Sequence, residues 1–193
     1  MDQFKPLVSI IIPVFNGANY LNQAIDSALE QTYENIEVLV INDGSTDDGE
    51  TERVALSYGE KIRYFVKKNG GVASALNLGI LEMEGDYFSW LSHDDLYMID
   101  KVERQVKYLA CLPNRETILF SDYMNVDENN KDLYPVYMDH ELLMRKPLYS
   151  IFRGSLHGCT LLIPRSAFIS SGIFNDLKTT QDYDLWFRMI RNH

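Results

Sequence analysis

Val8-Ser9-Ile10-Ile11-Ile12-Pro13 is a short β-branched apolar run closed by proline, the pattern of a parallel strand buried on both faces. Outward from it the chain alternates between two periodicities. Leu21, Ile25, Ala28 and Leu29 recur at helical spacing. Ile36 to Ile41 reads as a second buried strand, and Asn42 to Thr46 as a turn. Ser45 followed by Asp48 has capping-box spacing and predicts a helix running towards Tyr58. Ile62 to Val66 gives a third strand. Val72, Ala75, Leu76, Gly79, Ile80 and Met83 form the apolar face of the next helix, which Gly85 breaks before a fourth strand, Tyr87 to Leu91. Ile99, Val102, Val106 and Leu109 mark a further helix. Strands alternating with helices in this way imply right-handed βαβ units, a parallel sheet and the α/β class.

Beyond Pro113 the pattern changes. Thr117 to Ser121, Tyr123 to Val126 and Thr160 to Ile163 read as short strands, and Asp127-Glu128-Asn129-Asn130 as a polar turn. Asp182 to Arg191 reads as a helix with Leu185, Trp186 and Met189 on its apolar face. No repeat or linker divides the chain, so we expect one domain over residues 1–193, with 113–193 extending the sheet built by 1–112.

The 193 residues can bury a real core, and 46% hydrophobic and 24% charged residues suit a globular protein. No apolar run approaches the roughly 20 residues of a spanning helix. Met1 to Pro6 is polar and leads into a strand, which predicts no signal peptide. The two cysteines, Cys111 and Cys159, show neither metal-ligand spacing nor a disulfide framework, consistent with a reducing, cytoplasmic setting. A net charge of -10 excludes a nucleic-acid partner, because phosphate backbones require a Lys/Arg excess. It still admits a small diphosphate if a divalent cation stands between. The terminal helix stops without a glycine cap or proline, so we expect the chain to continue in a longer protein. A basic amphipathic segment there would bring it to a membrane surface.

In open parallel sheets ligands bind beyond the carboxyl ends of the strands. Asp43 follows the second strand and Asp94-Asp95 follows the fourth, so both acidic loops fall on one rim. Taken singly, Asp43-Gly44-Ser45 is an ordinary turn and Asp94-Asp95 an acidic helix start. Taken together they form a candidate site. Adjacent carboxylates are hard oxygen ligands for Mg²⁺ or Mn²⁺, cations that keep waters and bind substrate phosphates. Asp43 suits a hydrogen-bond donor on a base or ribose.

With these features in place, the chain resembles glycosyltransferase family 2. The resemblance is carried by Val8 to Asn16, Tyr20-Leu21, Gln31-Thr32-Tyr33, Val40 to Asp47, and Gly70-Gly71 through Ala75-Leu76-Asn77. The paired aspartates and Gln181-Asp182-Tyr183-Asp184-Leu185-Trp186 complete it. It implies a GT-A fold, a nucleoside-diphosphate sugar donor (a UDP-sugar by preference), a divalent cation, Mn²⁺ or Mg²⁺, and inversion at the anomeric carbon. It also implies a saccharide or lipid-linked acceptor and a role in polysaccharide or glycoconjugate synthesis. Residues 1–112 would then hold the nucleotide sugar and 113–193 the acceptor. By motif position Pro13, Phe15, Asn16, Asp43 and Asn77 belong to the donor site, Asp43 meeting the base. Asp94 and Asp95 correspond to the metal and diphosphate motif, with Asp95 the direct ligand, and Asp182 to the catalytic base.

The chain departs from the family pattern at Ser92, often aspartate, at Leu76, often arginine, and at Gln181, often glutamate. It carries no Gln-x-x-Arg-Trp motif. Competing readings are a non-catalytic nucleotide-sugar-binding module and a sugar nucleotidyltransferase. The latter expects a basic, glycine-rich loop after strand one, where this chain has Pro13-Val14-Phe15-Asn16-Gly17. Structural roles compete for single residues too: Asp182 as a helix N-cap, Lys67-Lys68 as a solvated basic pair, and Trp186 as core. Tyr97 and Tyr183 are candidates to stack on sugars. His157 lies in a segment similar to the family's acceptor loop, and a Cys159-His157 nucleophile is the weakest reading, since direct displacement needs none.

Overall fold

Every residue of β1 (Val8–Val14) is buried, and its side chains divide between two cores. Ile11 joins Leu39, Ile41 and the apolar side of α3 (Val72–Glu82), whereas Ile10 and Ile12 join Val38, Val40, α1 (Leu21–Leu29) and α4 (Lys101–Cys111). A strand covered on both faces has no polar side to alternate with, which accounts for the unbroken apolar run. The computed structural model describes residues 4–153, 156–177 and 179–191. The central sheet has the order β3-β2-β1-β4-β7. β1 pairs in parallel with β2 (Ile36–Asn42) and with β4 (Tyr87–Trp90), and β2 with β3 (Arg63–Val66). β7 (Ile163–Pro164) closes the edge antiparallel to β4.

The helix after β2 begins later than its capping-box spacing implied. α2 (Glu50–Leu56) starts behind Gly49, which takes a left-handed φ of 80°. The Ser45 hydroxyl accepts instead from the Asn16 amide (2.9 Å), and Asp47 caps the helix by accepting from the Thr51 amide (3.0 Å). Ile99 precedes α4 and is exposed, so that helix rests on Val102, Val106 and Leu109.

Glu37 anchors the entry to β4. Its carboxylate accepts from the Ser9 hydroxyl, the Glu84 and Gly85 amides and the Arg63 guanidinium. Burial opposes its ionisation, but those bonds outweigh burial and hold its pKa below the ordinary value. The resulting stability is present at neutral pH and is lost as pH falls through the lowered pKa.

The second half adds less to the sheet than expected. Residues 117–121 contribute only an isolated bridge between Leu119 and Leu162. The expected strand from Thr160 shortens to β7, preceded by a 3-10 turn at Gly158–Thr160. β5 (Tyr123–Val126) pairs with β6 (Asp132–Val136) as a separate hairpin, followed by α5 (His140–Arg145), α6 (Pro147–Arg153), α7 (Arg165–Ser171) and α8 (Gln181–Ile190). Among the described residues no helix is long and apolar enough to cross a membrane.

α3 sits close to β1 because Gly79 presents no side chain there. A Cβ at Gly79 would lie 2.5 Å from Ile11 Cγ2, and Ile11 is fully buried. Gly79→Val should therefore cost about 2–3 kcal/mol through overpacking, read as a lower urea midpoint with an unchanged slope. An unchanged midpoint would show that the two elements can separate freely.

Candidate active site

Reading across the sheet, the strand order reverses at β1, whose two neighbours lead their chains to opposite sides. Open α/β sheets form a ligand crevice at such a reversal, outside the carboxyl ends of the strands. Three loops gather there, following β1, β2 and β4. The first two are stitched together: the Asn16 side-chain carbonyl accepts from the Thr46 amide (2.7 Å), and the Asn16 backbone amide donates to the Ser45 hydroxyl (2.9 Å). Asn16 takes a left-handed φ of 50° to do this. Pro13 is buried at the end of the strand, and Phe15 stands 44% exposed beside the crevice.

Asp43 is the buried centre of this rim. Its carboxylate receives the Lys67 ammonium (2.5 Å) and the backbone amides of Gly70 (3.1 Å) and Gly71 (2.7 Å). Lys67 also reaches the Ser74 hydroxyl at the start of α3. Lys67 is thus an ion-pair partner within the site and not half of a solvated pair. A charge buried at this depth is tolerable because an opposite charge and two N–H groups meet it.

Opposite stands the loop after β4. Asp94 is exposed, and His93 Nδ1 lies 3.9 Å from its carboxylate. His93 packs across the crevice onto Gly17, where a Cβ would overlap its ring. Asp95 is half-buried, and the Cys159 thiol donates to its carboxylate at 3.2 Å. Burial, then the adjacent Asp95 charge, pushes the Cys159 thiol up to about 12, so at neutral pH it holds its proton. The Ser92 amide and hydroxyl both lie 3.3 Å from the same sulfur. Among the described residues no lysine or arginine pairs with Asp94 or Asp95. Adjacent carboxylates, one exposed and one half-buried, with no lysine or arginine partner among the described residues are hard oxygen donors of the kind that suits Mn²⁺ or Mg²⁺.

Residues 9–175 match the family model described as Glycosyl transferase family 2. The chain belongs to that family. It is 59% identical to an uncharacterized glycosyltransferase of Rickettsia felis over 99% of its own length, and spans only 32% of that relative. The fold is GT-A: the structure superposes on S. aureus TarS in complex with UDP with a TM-score of 0.76 at 20% identity, covering 94% of this chain and 54% of TarS. The Pyrobaculum calidifontis mannosyltransferase PcManGT, in complex with GDP-Man and Mn²⁺, matches with a TM-score of 0.61 at 21% identity, over 90% of this chain and 49% of its own.

Asp182 of this family 2 chain is the second residue of α8. The helix N-cap is Thr180, so the N-cap reading of Asp182 does not hold. Tyr183, beside it, has its pKa raised by burial, then by the charges of Asp182 and Tyr123, while the Leu156 amide donates to its hydroxyl. The Tyr123 ring in turn lies 5.7 Å from the ring of His157.

Asn77 stands apart from the aspartates. Its amide donates to the Phe174 carbonyl (2.8 Å) and its carbonyl accepts from the Phe174 amide (2.9 Å), which ties α3 to the approach of α8. Trp186 is core, as its spacing implied. Tyr97 is not available to a sugar: it is buried, bonded to Ser89 and the Trp90 carbonyl, and covered by the Lys101 ammonium. His93 on Gly17 and the thiol on Asp95 carried no signal in the sequence, because each is a contact across distant segments.

Asp43→Ala should leave the Gly70 and Gly71 amides without their acceptor and Lys67 without its counter-charge. The expected loss is about 1–3 kcal/mol, with faster hydrogen exchange at Gly70 and Gly71. Exchange as slow as in the parent chain would show that the carboxylate does not hold that loop.

Proposed function

We propose that the chain transfers a sugar from a nucleoside-diphosphate sugar, a UDP-sugar by preference, to a hydroxyl of a saccharide or lipid-linked acceptor, with inversion at the anomeric carbon. The observation that carries this reading is the pairing on one rim of the Asp43 loop with two aspartates that no lysine or arginine neutralises among the described residues. TarS bound to UDP and PcManGT bound to GDP-Man and Mn²⁺ support both the donor class and the cation.

Asp43 holds the Lys67–Gly71 loop in place beside the crevice. Pro13 and Phe15 form the wall against which the nucleoside lies, and Asn16 fixes that wall to the neighbouring loop. Asp95, with Asp94, holds a divalent cation, which when bound stabilises negative charge on the departing diphosphate. Asp182 accepts the proton of the acceptor hydroxyl at its carboxylate as that oxygen attacks. Positioned base catalysis of this kind is worth about 10²–10⁴-fold. Asn77 works indirectly, by holding Phe174 and the approach to α8. Both cysteines are free thiols, which suits a reducing, cytoplasmic setting.

Two substitutions separate the roles. Asp95→Asn should nearly abolish Mn²⁺-dependent turnover of a UDP-sugar while the melting temperature holds. Parent-like turnover would remove Asp95 from cation binding. Asp182→Asn should cut transfer at least about a hundredfold with donor affinity by calorimetry unchanged. Lost donor binding with unchanged turnover per complex would instead assign Asp182 to the donor.

A further inference from the structure

Three potential metal ligands of different hardness converge beside the crevice. A carboxylate oxygen of Asp95, a ring nitrogen of His157 and the sulfur of Cys159 all lie within 4.8 Å of one another. Asp95 and Cys159 are already 3.2 Å apart, joined by the thiol's hydrogen bond. Two of the three are fixed by the fold. Cys159 belongs to the 3-10 turn at Gly158–Thr160, which packs so tightly on β4 that a Cβ at Gly158 would overlap the Trp90 indole. Asp95 is held in its loop by the hydrogen bond that its backbone amide donates to the Ser92 carbonyl (3.1 Å). His157 precedes the turn, is exposed, and rests its ring against Tyr123.

We infer that Asp95, His157 and Cys159 together form a three-ligand site for a borderline divalent cation of the Zn²⁺ and Co²⁺ class. The inference builds on the assignment of Asp95 to the donor cation and specifies which cations that centre accepts. Around a four-coordinate cation with bonds of about 2.0–2.3 Å, ligand atoms stand roughly 3.3–3.8 Å apart. The Asp95–Cys159 separation of 3.2 Å is already close to that, and a nitrogen of the exposed imidazole lies within 4.8 Å of both. Imidazole and sulfur favour Zn²⁺ and Co²⁺ over Mg²⁺, which demands six oxygens and keeps its waters. On binding, the cation takes the place of the thiol proton, which leaves to solvent. Three protein ligands would leave one position of a four-coordinate cation for water or a diphosphate oxygen, and through Asp95 the site adjoins the proposed donor site.

Absorption spectroscopy of the metal-free chain titrated with Co²⁺ tests this. The expected result is a near-ultraviolet thiolate-to-Co²⁺ charge-transfer band together with intense visible bands of four-coordinate cobalt, both removed by one equivalent of Zn²⁺. Cys159→Ser should lose the charge-transfer band and Cys111→Ser should keep it. His157→Ala, at an exposed position that leaves the core intact, should weaken Co²⁺ binding at least tenfold with an unchanged far-ultraviolet circular dichroism spectrum. A weak six-coordinate spectrum in the parent chain would overturn the inference, as would a band that persists in Cys159→Ser or an affinity indifferent to His157→Ala. Mn²⁺-dependent turnover alongside a missing thiolate band would reject this site alone. A thiolate band alongside parent-like turnover in Asp95→Asn would reject the donor-cation role and leave the site standing.

Discussion

The Asp43 carboxylate is a negative charge placed almost out of reach of water at the end of a buried strand, and the rim is organised around satisfying it. Left alone, such a group would cost several kcal/mol or give up its charge. Lys67 and the Gly70 and Gly71 amides meet it, which fixes the loop after β3 against the loop after β2. Close approach is possible because Gly44, with φ +71°, carries no Cβ to strike the Asn69 amide. The Asn16 bonds to Thr46 and Ser45 then bind the β1 loop to the same assembly. One wall of the crevice is therefore rigid before any ligand arrives, and rigidity of this kind lowers the ordering cost of binding.

The opposite wall depends on apolar packing. Trp90, at the end of β4, meets Phe174 edge-on with ring centres 6.2 Å apart, and Phe174 meets Trp186 of α8 at 6.0 Å. Asn77 holds the Phe174 backbone from α3. Through this chain of contacts the helix carrying Asp182 is referenced to the strand whose following loop carries Asp94 and Asp95. Beneath that strand's end, Lys101 donates to Ser89 (2.8 Å) and lies 4.0 Å from the centre of the Tyr97 ring, with burial bringing its pKa down to about 7. The loop between β4 and α4 is thus held from below by a polar network and from the side by aromatic rings.

What the sequence made legible follows from the range of each interaction. β1, β2 and β4 were readable because burial on both faces leaves its mark in every residue of a strand. Asp43, Asp94 and Asp95 were readable because they follow such strands directly, so topology alone puts them on one rim. The α2 boundary was misread since Ser45 has a partner twenty-nine residues away in Asn16, and a tertiary bond took the hydroxyl that local spacing assigned to a cap. The solvated reading of Lys67 failed for the same reason. The second half was harder: β6 has four exposed residues of five and contains Pro135, so it carries little periodicity. α5 and α6 are short and meet at Pro147, leaving Met144 and Phe152 exposed and the apolar pattern broken.

The departure at Ser92 and the presence of Cys159 belong to one arrangement. The family often carries aspartate at this position, and a carboxylate there would stand against both the sulfur and Asp95. A buried thiol has one proton, and two carboxylates would compete for it while repelling each other. Serine removes that conflict: its hydroxyl and amide lie 3.3 Å from the sulfur and accommodate the thiol as a neutral neighbour. The proton is then free to point at Asp95, 3.2 Å away. With serine at 92, the sulfur of Cys159 and the imidazole of His157 are groups that lie beside the Asp95 carboxylate. The surroundings of Asp95 are accordingly set as much by the Gly158–Thr160 turn that delivers Cys159 as by the aspartates that the family motif records.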